Sequence, residues 1–198
     1  MKIIQIDSNK PYKIFYNFYK KAEMHNQVPI EAISISSFNK TTNEVQSRYV
    51  NLKYIIGNKW IFFSNYNSPK AKSFESHNQI TALIYWDKIN VQIRMKAKIA
   101  KADSNLSDNH FTIRSKEKNI IAILSKQSQE IKSYEYFEKQ YDKYQKDNNI
   151  FNVRPDYWGG FSFVPYYFEF WEGAETRMNK RHIFELNSNT WEEKFLQP

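Results

Sequence analysis

The chain has no cysteine, and its 198 residues include four glycines and six prolines. Without thiols there is no disulfide, no thiolate metal site and no cysteine nucleophile. With so few glycines, no G-x-G-x-x-G, P-loop or G-x-S-x-G segment occurs. The four histidines, His25, His77, His110 and His182, are too scattered for metal-ligand spacing. No apolar run approaches the roughly 18 residues that a membrane helix needs, and mean hydropathy is −0.74. The first ten residues, MKIIQIDSNK, lack the apolar core of a signal peptide, so a cytoplasmic location is expected. Acidic residues are outnumbered 21 to 29 by Lys and Arg, a formal net charge of +8. The lysines are dispersed, which argues against a nucleic-acid surface and for solvated helix faces plus a local cation cluster.

What the chain does have is aromatic residues, 17% of the total. They concentrate in Arg154–Arg181, RPDYWGGFSFVPYYFEFWEGAETRMNKR, with two of the five tryptophans and three of the four glycines. Phe161, Phe163, Phe168 and Phe170 follow a period of two, as in strands with one buried face, and Pro165 predicts a break between two strand segments. An aromatic wall running into Arg177 and Arg181 suits a flat, anionic, aromatic ligand stacked on Trp171. A hydrophobic hairpin with a solvated basic end accounts for the same pattern.

The length fits one domain over residues 1–198. Residues 11–26 form an amphipathic helix with Ile14, Phe15, Phe18, Tyr19 and Ala22 on one face. Strands are expected at 32–36, 45–56, 59–64, 80–86 and 91–100, with 45–56 and 59–64 as a hairpin. Helices are expected at 70–77, weakly over 109–123, and at 130–146, where Asn148-Asn149 ends the last; a hairpin closes the chain. About seven strands joined mostly by short turns favour an antiparallel barrel or sandwich with flanking helices over a parallel sheet.

The order Arg154-Pro155, Trp158-Gly159-Gly160, Pro165, Glu169-Phe170-Trp171, Gly173, Arg177 and Arg181 resembles the C-terminal signature of the pyridoxamine 5'-phosphate oxidase family. Arg48, Val50, Leu52 and Lys53 match its R-x-V-x-L-K. Residues 63–70 resemble Y-T-N-x-x-S-R-K, with Phe63 for Tyr, Ser64 keeping the hydroxyl of Thr, and Pro69 for Arg, and Ser125-Lys126-Gln127-Ser128 matches S-x-Q-S. The resemblance spans roughly residues 12–198. It implies a mainly β, Greek-key-like, antiparallel FMN-binding split β-barrel with flanking helices, assembled as a homodimer with FMN sites at the subunit interface.

On that resemblance, Arg48, Val50, Lys53, Phe63, Ser64, Lys70, Gln92, Gln127, Ser128, Trp171 and Arg181 hold FMN, with Gln127 and Ser128 reaching it from the second subunit. Lys53, His110, Arg114, Lys118, Arg177 and Asn179 hold the phosphorylated pyridine substrate, and Arg177 and Asn179 lie at the reacting centre. The implied reaction oxidises pyridoxamine or pyridoxine 5'-phosphate by hydride transfer to the flavin, which O2 reoxidises with release of H2O2. Beyond Phe63 and Ser64, four departures bear on ligand choice: Pro69 for Arg, His110 for Tyr, Lys118 for Ser and Asn179 for His. They leave open a related oxidase of another cyclic substrate, as in phenazine biosynthesis, and a non-catalytic binder of flavin or pyridoxal phosphate.

Overall fold

The computed structural model describes residues 1–146 and 153–198. The helix end expected at Asn148-Asn149 lies outside the described residues. Ten strands join one sheet, in the order β1-β4-β5-β8-β7-β6-β2-β3, with β9 on β8 and β10 on β9. The strands are β1 (Lys2–Ile4), β2 (Ala32–Asn39), β3 (Glu44–Asn51), β4 (Tyr54–Ile56), β5 (Lys59–Asn65), β6 (Gln79–Trp86), β7 (Val91–Lys101), β8 (Trp158–Glu172), β9 (Lys180–Asn187) and β10 (Thr190–Leu196). Every pairing is antiparallel except the parallel pair β1–β4. The sheet does not close on itself, and the architecture is the expected mainly β split barrel with helices.

The spine is β8, fifteen residues long. Its residues 161–172 pair with β7, while its other edge is shared: residues 158–163 pair with β5 and 167–172 with β9. Pro165 does not break it, contrary to expectation. Ala97 faces Pro165 and Lys96 faces Tyr167, so Tyr166 is an extra residue in a bulge. The bulge absorbs the missing N–H of proline. It also corrects a phase error visible in the sequence. Phe163 and Phe168 are an odd number of residues apart, so a regular strand would put them on opposite faces; with Tyr166 bulged, Phe161, Phe163, Phe168 and Phe170 are all buried.

The expected long strand at 45–56 is two strands. Leu52 and Lys53 link β3 to β4 and leave the ladder: Leu52 N–H donates to Glu31 O, 2.9 Å, and Lys53 N–H to Ile61 O, 2.8 Å. The hairpins are therefore β2–β3 and β4–β5.

Helix α1 (Lys10–Met24) carries a proline in its first turn and buries Tyr12, Phe15, Tyr19 and Ala22 at three- and four-residue spacing. Phe15 meets Trp60, with centroids 4.4 Å apart, and Tyr12 meets Phe168 at 5.1 Å, which fixes the helix on the sheet. Helix α2 (Pro69–Ser76) follows β5 directly. The weak helical stretch at 109–123 resolves into α3 (Ser104–Thr112) and α4 (Lys116–Leu124). Asp103 starts α3 by accepting from Leu106 N–H at 3.1 Å, and Asn119 Nδ2 closes its end by donating to Phe111 O at 3.0 Å. Helix α5 (Tyr134–Lys146) begins later than expected because the Ser133 hydroxyl accepts from Tyr136 N–H, 3.1 Å. Among the described residues no helix is long and apolar enough to cross a membrane.

Candidate functional site

A cleft of about 660 Å³ opens where β3, β4, β5, α2, α3 and α4 meet. Its lining includes Val50, Lys53, Phe63, Ser64, Lys70, His110, Arg114, Lys118 and Gln127, nine of the residues singled out from the sequence. Lys2, Tyr54 and Trp158 line it as well. Among the described residues, no aspartate or glutamate does.

At one end, Lys70 is 9% exposed. Its Nζ donates to the hydroxyls of Ser64 at 3.2 Å and Ser68 at 3.4 Å, and meets no carboxylate. Burial, and then the charge of Arg48, pushes its amine down to about 8. Arg48 lies just behind it, also without an acid: NH1 donates to Ser37 Oγ at 2.7 Å and Ile35 O at 3.2 Å, and NH2 to Gln46 Oε1 at 3.3 Å. Burial lowers the Arg48 guanidinium too. A buried cation without a counter-ion is costly in the empty fold. The half-buried Arg48 guanidinium beside Lys70, likewise without a carboxylate, makes this end of the cleft a place for an anion. Ser64 Oγ and Asn65 N–H both donate to Gln127 Oε1, at 3.1 and 3.2 Å. Gln127 is thus in the cleft within its own chain, whereas the resemblance implied that it arrives from a second subunit.

At the other end, aromatic planes stack. His110 lies on Phe63, centroids 3.9 Å apart at 12°, and Phe63 lies on Trp158, 5.3 Å at 11°. The Arg114 guanidinium carbon sits 4.4 Å from the Trp158 centroid. Gly160, opposite Phe63 in the ladder, leaves room for this column: a Cβ there would lie 2.8 Å from Ala102 Cβ and 3.2 Å from the Phe63 ring. Arg114 NH2 donates to Lys118 O at 3.1 Å, while its buried NH1 has no hydrogen-bond partner. Burial pushes Arg114 down to about 10. Burial, followed by the charges of Arg114, Lys53, Lys2 and Lys118, pushes His110 down to about 4, so its ring is neutral near pH 7.

The remaining sequence candidates lie elsewhere. Gln92, Trp171 and Arg181 are neighbours in register across β7, β8 and β9. Arg181 is anchored by Glu169, Nε to Oε1 2.9 Å, and the buried Glu169 carboxylate also takes Arg94 and, at 3.1 Å, the Tyr167 hydroxyl. Burial alone would raise the Glu169 carboxyl, but Arg181 and Arg94 outweigh it and hold it low. Arg177 is exposed in the β8–β9 turn with φ +64°. Asn179 fastens that turn: its Oδ1 accepts from Ala174 N–H at 3.1 Å and its own N–H donates to Arg177 O at 2.8 Å. Ser128, at φ +68°, follows Gln127 at the cleft edge. None of Gln92, Trp171, Arg177, Asn179 and Arg181 lines the cleft of the same chain.

Lys2, Tyr54 and Trp158 had no assigned role in the sequence. Lys2 arrives through the parallel β1–β4 pairing, which no local pattern announces. Tyr54 stood next to the motif residue Lys53, and Trp158 was itself in the C-terminal signature without an assigned role; those positions were the available signal.

The donor set fits two anionic groups beside aromatic rings, one at Lys70 and Arg48 and one at Arg114 and His110. Residues 158–198 match the family model described as the pyridoxine 5'-phosphate oxidase C-terminal dimerisation region. Pyridoxine/pyridoxamine 5'-phosphate oxidase of Leptospira biflexa is 31% identical over 189 residues, 95% of this chain and 89% of the relative. The enzyme of the same name from Rippkaea orientalis is 32% identical over 190 residues, 95% and 89% of the two chains. In fold, PhzG from Burkholderia lata 383, solved with tetrahydrophenazine-1-carboxylic acid, superposes with a TM-score of 0.88 at 20% identity, covering 96% of this chain and 93% of that one. A pyridoxamine 5'-phosphate oxidase-related, FMN-binding protein from Nostoc punctiforme gives 0.77 at 10% identity, covering 96% and 99%. By these relatives, and by motifs that converge on one cation-lined cleft, the chain belongs to the pyridoxine/pyridoxamine 5'-phosphate oxidase family.

Proposed function

We propose that the protein is an FMN-dependent oxidase that converts pyridoxamine or pyridoxine 5'-phosphate to pyridoxal 5'-phosphate. It would use O2 as acceptor, release H2O2, and work as a cytoplasmic homodimer in which the whole chain forms one domain. The observation that carries this reading is the cleft itself: cations at both ends, stacked aromatic rings at the Arg114 end, and no carboxylate in the described lining. The flavin, when bound, accepts a hydride from the substrate carbon bearing the amine or alcohol and passes the electrons to O2.

Lys70, Arg48 and Ser64 would hold the FMN phosphate, with Val50, Phe63, Gln127 and Ser128 bordering the cofactor. Arg114, His110, Lys118 and Lys53 would hold the substrate phosphate and thereby fix the register of the pyridine ring. Gln92, Trp171 and Arg181, with Arg177 and Asn179, would come from the partner chain. Four of these five lie within 158–198, the segment matching the dimerisation region, which supports a shared site. Glu169 would keep Arg181 extended toward that interface, and the Asn179-fastened turn would present Arg177 to the substrate amine or alcohol.

The test is peroxide and aldehyde production by FMN-loaded protein given pyridoxamine 5'-phosphate. Stoichiometric H2O2 and pyridoxal phosphate are expected; flavin binding with neither product would refute the substrate. A second reading, an oxidase of another cyclic substrate, is favoured by one observation: the Asn179 carbonyl oxygen is engaged by Ala174 N–H where the family pattern has a titratable histidine. That reading predicts flavin reduction by a non-phosphorylated anionic ring compound.

A further inference from the structure

Tyr54 opens β4 with its backbone fixed on both sides, facing Lys2 of β1 and Ile61 of β5. Its side chain is 8% exposed, and its hydroxyl lies 2.9 Å from Nδ1 of His110. The Tyr54 ring also stands edge-on to His110, centroids 5.4 Å apart at 86°, so the hydroxyl and the ring locate the imidazole together. On its flat side His110 is held by Phe63. The imidazole therefore has one polar atom left, Nε2, which meets no protein partner among the described residues and belongs to a side chain lining the cleft.

A neutral imidazole has a single N–H, and the bond at one nitrogen decides which nitrogen carries it. If Nδ1 donated to Tyr54, Nε2 would turn a lone pair toward the ligand and repel a phosphate oxygen. If the Tyr54 hydroxyl donates to Nδ1, the proton sits on Nε2 and becomes a donor. Arg114, stacked on Trp158 and the foremost of the charges acting on His110, already commits the same end of the cleft to an anion. We propose that Tyr54 is a positioning residue for substrate binding: its hydroxyl donates to Nδ1 of His110 and holds the ring in the form that presents Nε2–H to the substrate phosphate. The inference rests on the oxidase reading only for the identity of the phosphorylated ligand. Through this relay a histidine does, without a charge, the donating work expected of a phenol hydroxyl.

The experiment uses the full chain without flavin, with ¹⁵N-labelled histidine, and pyridoxine 5'-phosphate and pyridoxine as probes. In the wild type, nitrogen NMR should show His110 as the Nε2–H tautomer once pyridoxine 5'-phosphate is bound. Tyr54→Phe should give a mixture of tautomers and weaken pyridoxine 5'-phosphate binding about fivefold, as expected for one lost hydrogen bond. Pyridoxine binding should not change, and in a His110→Phe background Tyr54→Phe should have no further effect. Equal weakening for both probes, or the same weakening in the His110→Phe background, would make Tyr54 merely structural and overturn the proposal. An unchanged tautomer and affinity in Tyr54→Phe would overturn it too. Absence of peroxide from the flavin-loaded wild type would count against the oxidase reading alone, since tautomer and phosphate affinity are read without turnover.

Discussion

Replacing Lys70 by methionine should make the flavin-free protein more stable and worse at binding FMN. The Lys70 amine is pushed from 10.5 to about 8, first by burial and then by Arg48. That fall corresponds to roughly 3 kcal/mol against the charged amine in the empty fold. Methionine keeps the buried stem and removes the charge, although the Ser64 and Ser68 hydroxyls lose a donor. A net gain of about 1–2 kcal/mol is expected, which for a chain of this size is an increase of about 2–8 °C in Tm. The pH dependence fixes the sign. Between about pH 8 and 10.5 the folded chain has released this proton and the unfolded chain has not, so wild-type stability rises with pH across that window. Lys70→Met should lack that rise. In binding, a charge-assisted phosphate contact worth about 1.5–3 kcal/mol is lost, so the FMN Kd should increase roughly 10- to 150-fold. Riboflavin, which has no phosphate, should bind both proteins alike. Thermal melts with and without FMN, and titrations with the two flavins, measure this. A variant less stable than wild type, or one that binds FMN unchanged, would refute the reasoning.

His110 adds a second pH window. Its ring is pushed to about 4, so as pH falls below about 6.5 the unfolded chain takes up a proton that the fold refuses until about pH 4. Urea midpoints should drop between pH 7 and 4.5, and His110→Gln should flatten that drop. Glu169→Ala should destabilise the chain by about 1–3 kcal/mol, because partly exposed Arg94 and Arg181 lose the carboxylate that pairs with both; denaturant melts measure it, and no loss would contradict the ion-pair account. Gly160→Ala should cost about 1–3 kcal/mol by overpacking, since its Cβ would press on Ala102 and Phe63; Tm and near-UV circular dichroism from the Phe63–Trp158 stack report it.

The sequence carried the elements well where local rules decide them. The helix at 10–24 follows from its apolar spacing and early proline, and the C-terminal hairpin from its polar turn. It misled where the deciding contact is distant. Pro165 reads as a break, and the bulge at Tyr166 becomes legible only by noticing that Phe163 and Phe168 are out of phase. The site divides in the same way. Residues of the early motifs converge in one chain because β3, β4, β5 and α2 are close in sequence and in space. Trp171, Arg177 and Arg181 belong to the same family pattern yet do not enter that cleft, because β9 and β10 extend from the other half of the β8 edge. Charge state was not legible at all. Lys70 and His110 are an ordinary cation and an ordinary histidine until burial and neighbouring cations displace both toward neutrality.

The most direct test of a site shared by two chains uses two broken ones. Lys70→Met damages the cleft, and Arg177→Ala removes the turn arginine; at limiting FMN each homodimer should yield little peroxide from pyridoxamine 5'-phosphate. After subunit exchange, half the dimers are mixed and each holds one intact site, so about a quarter of the wild-type rate should return. A mixture whose rate stays at the average of its two parents would contradict the account.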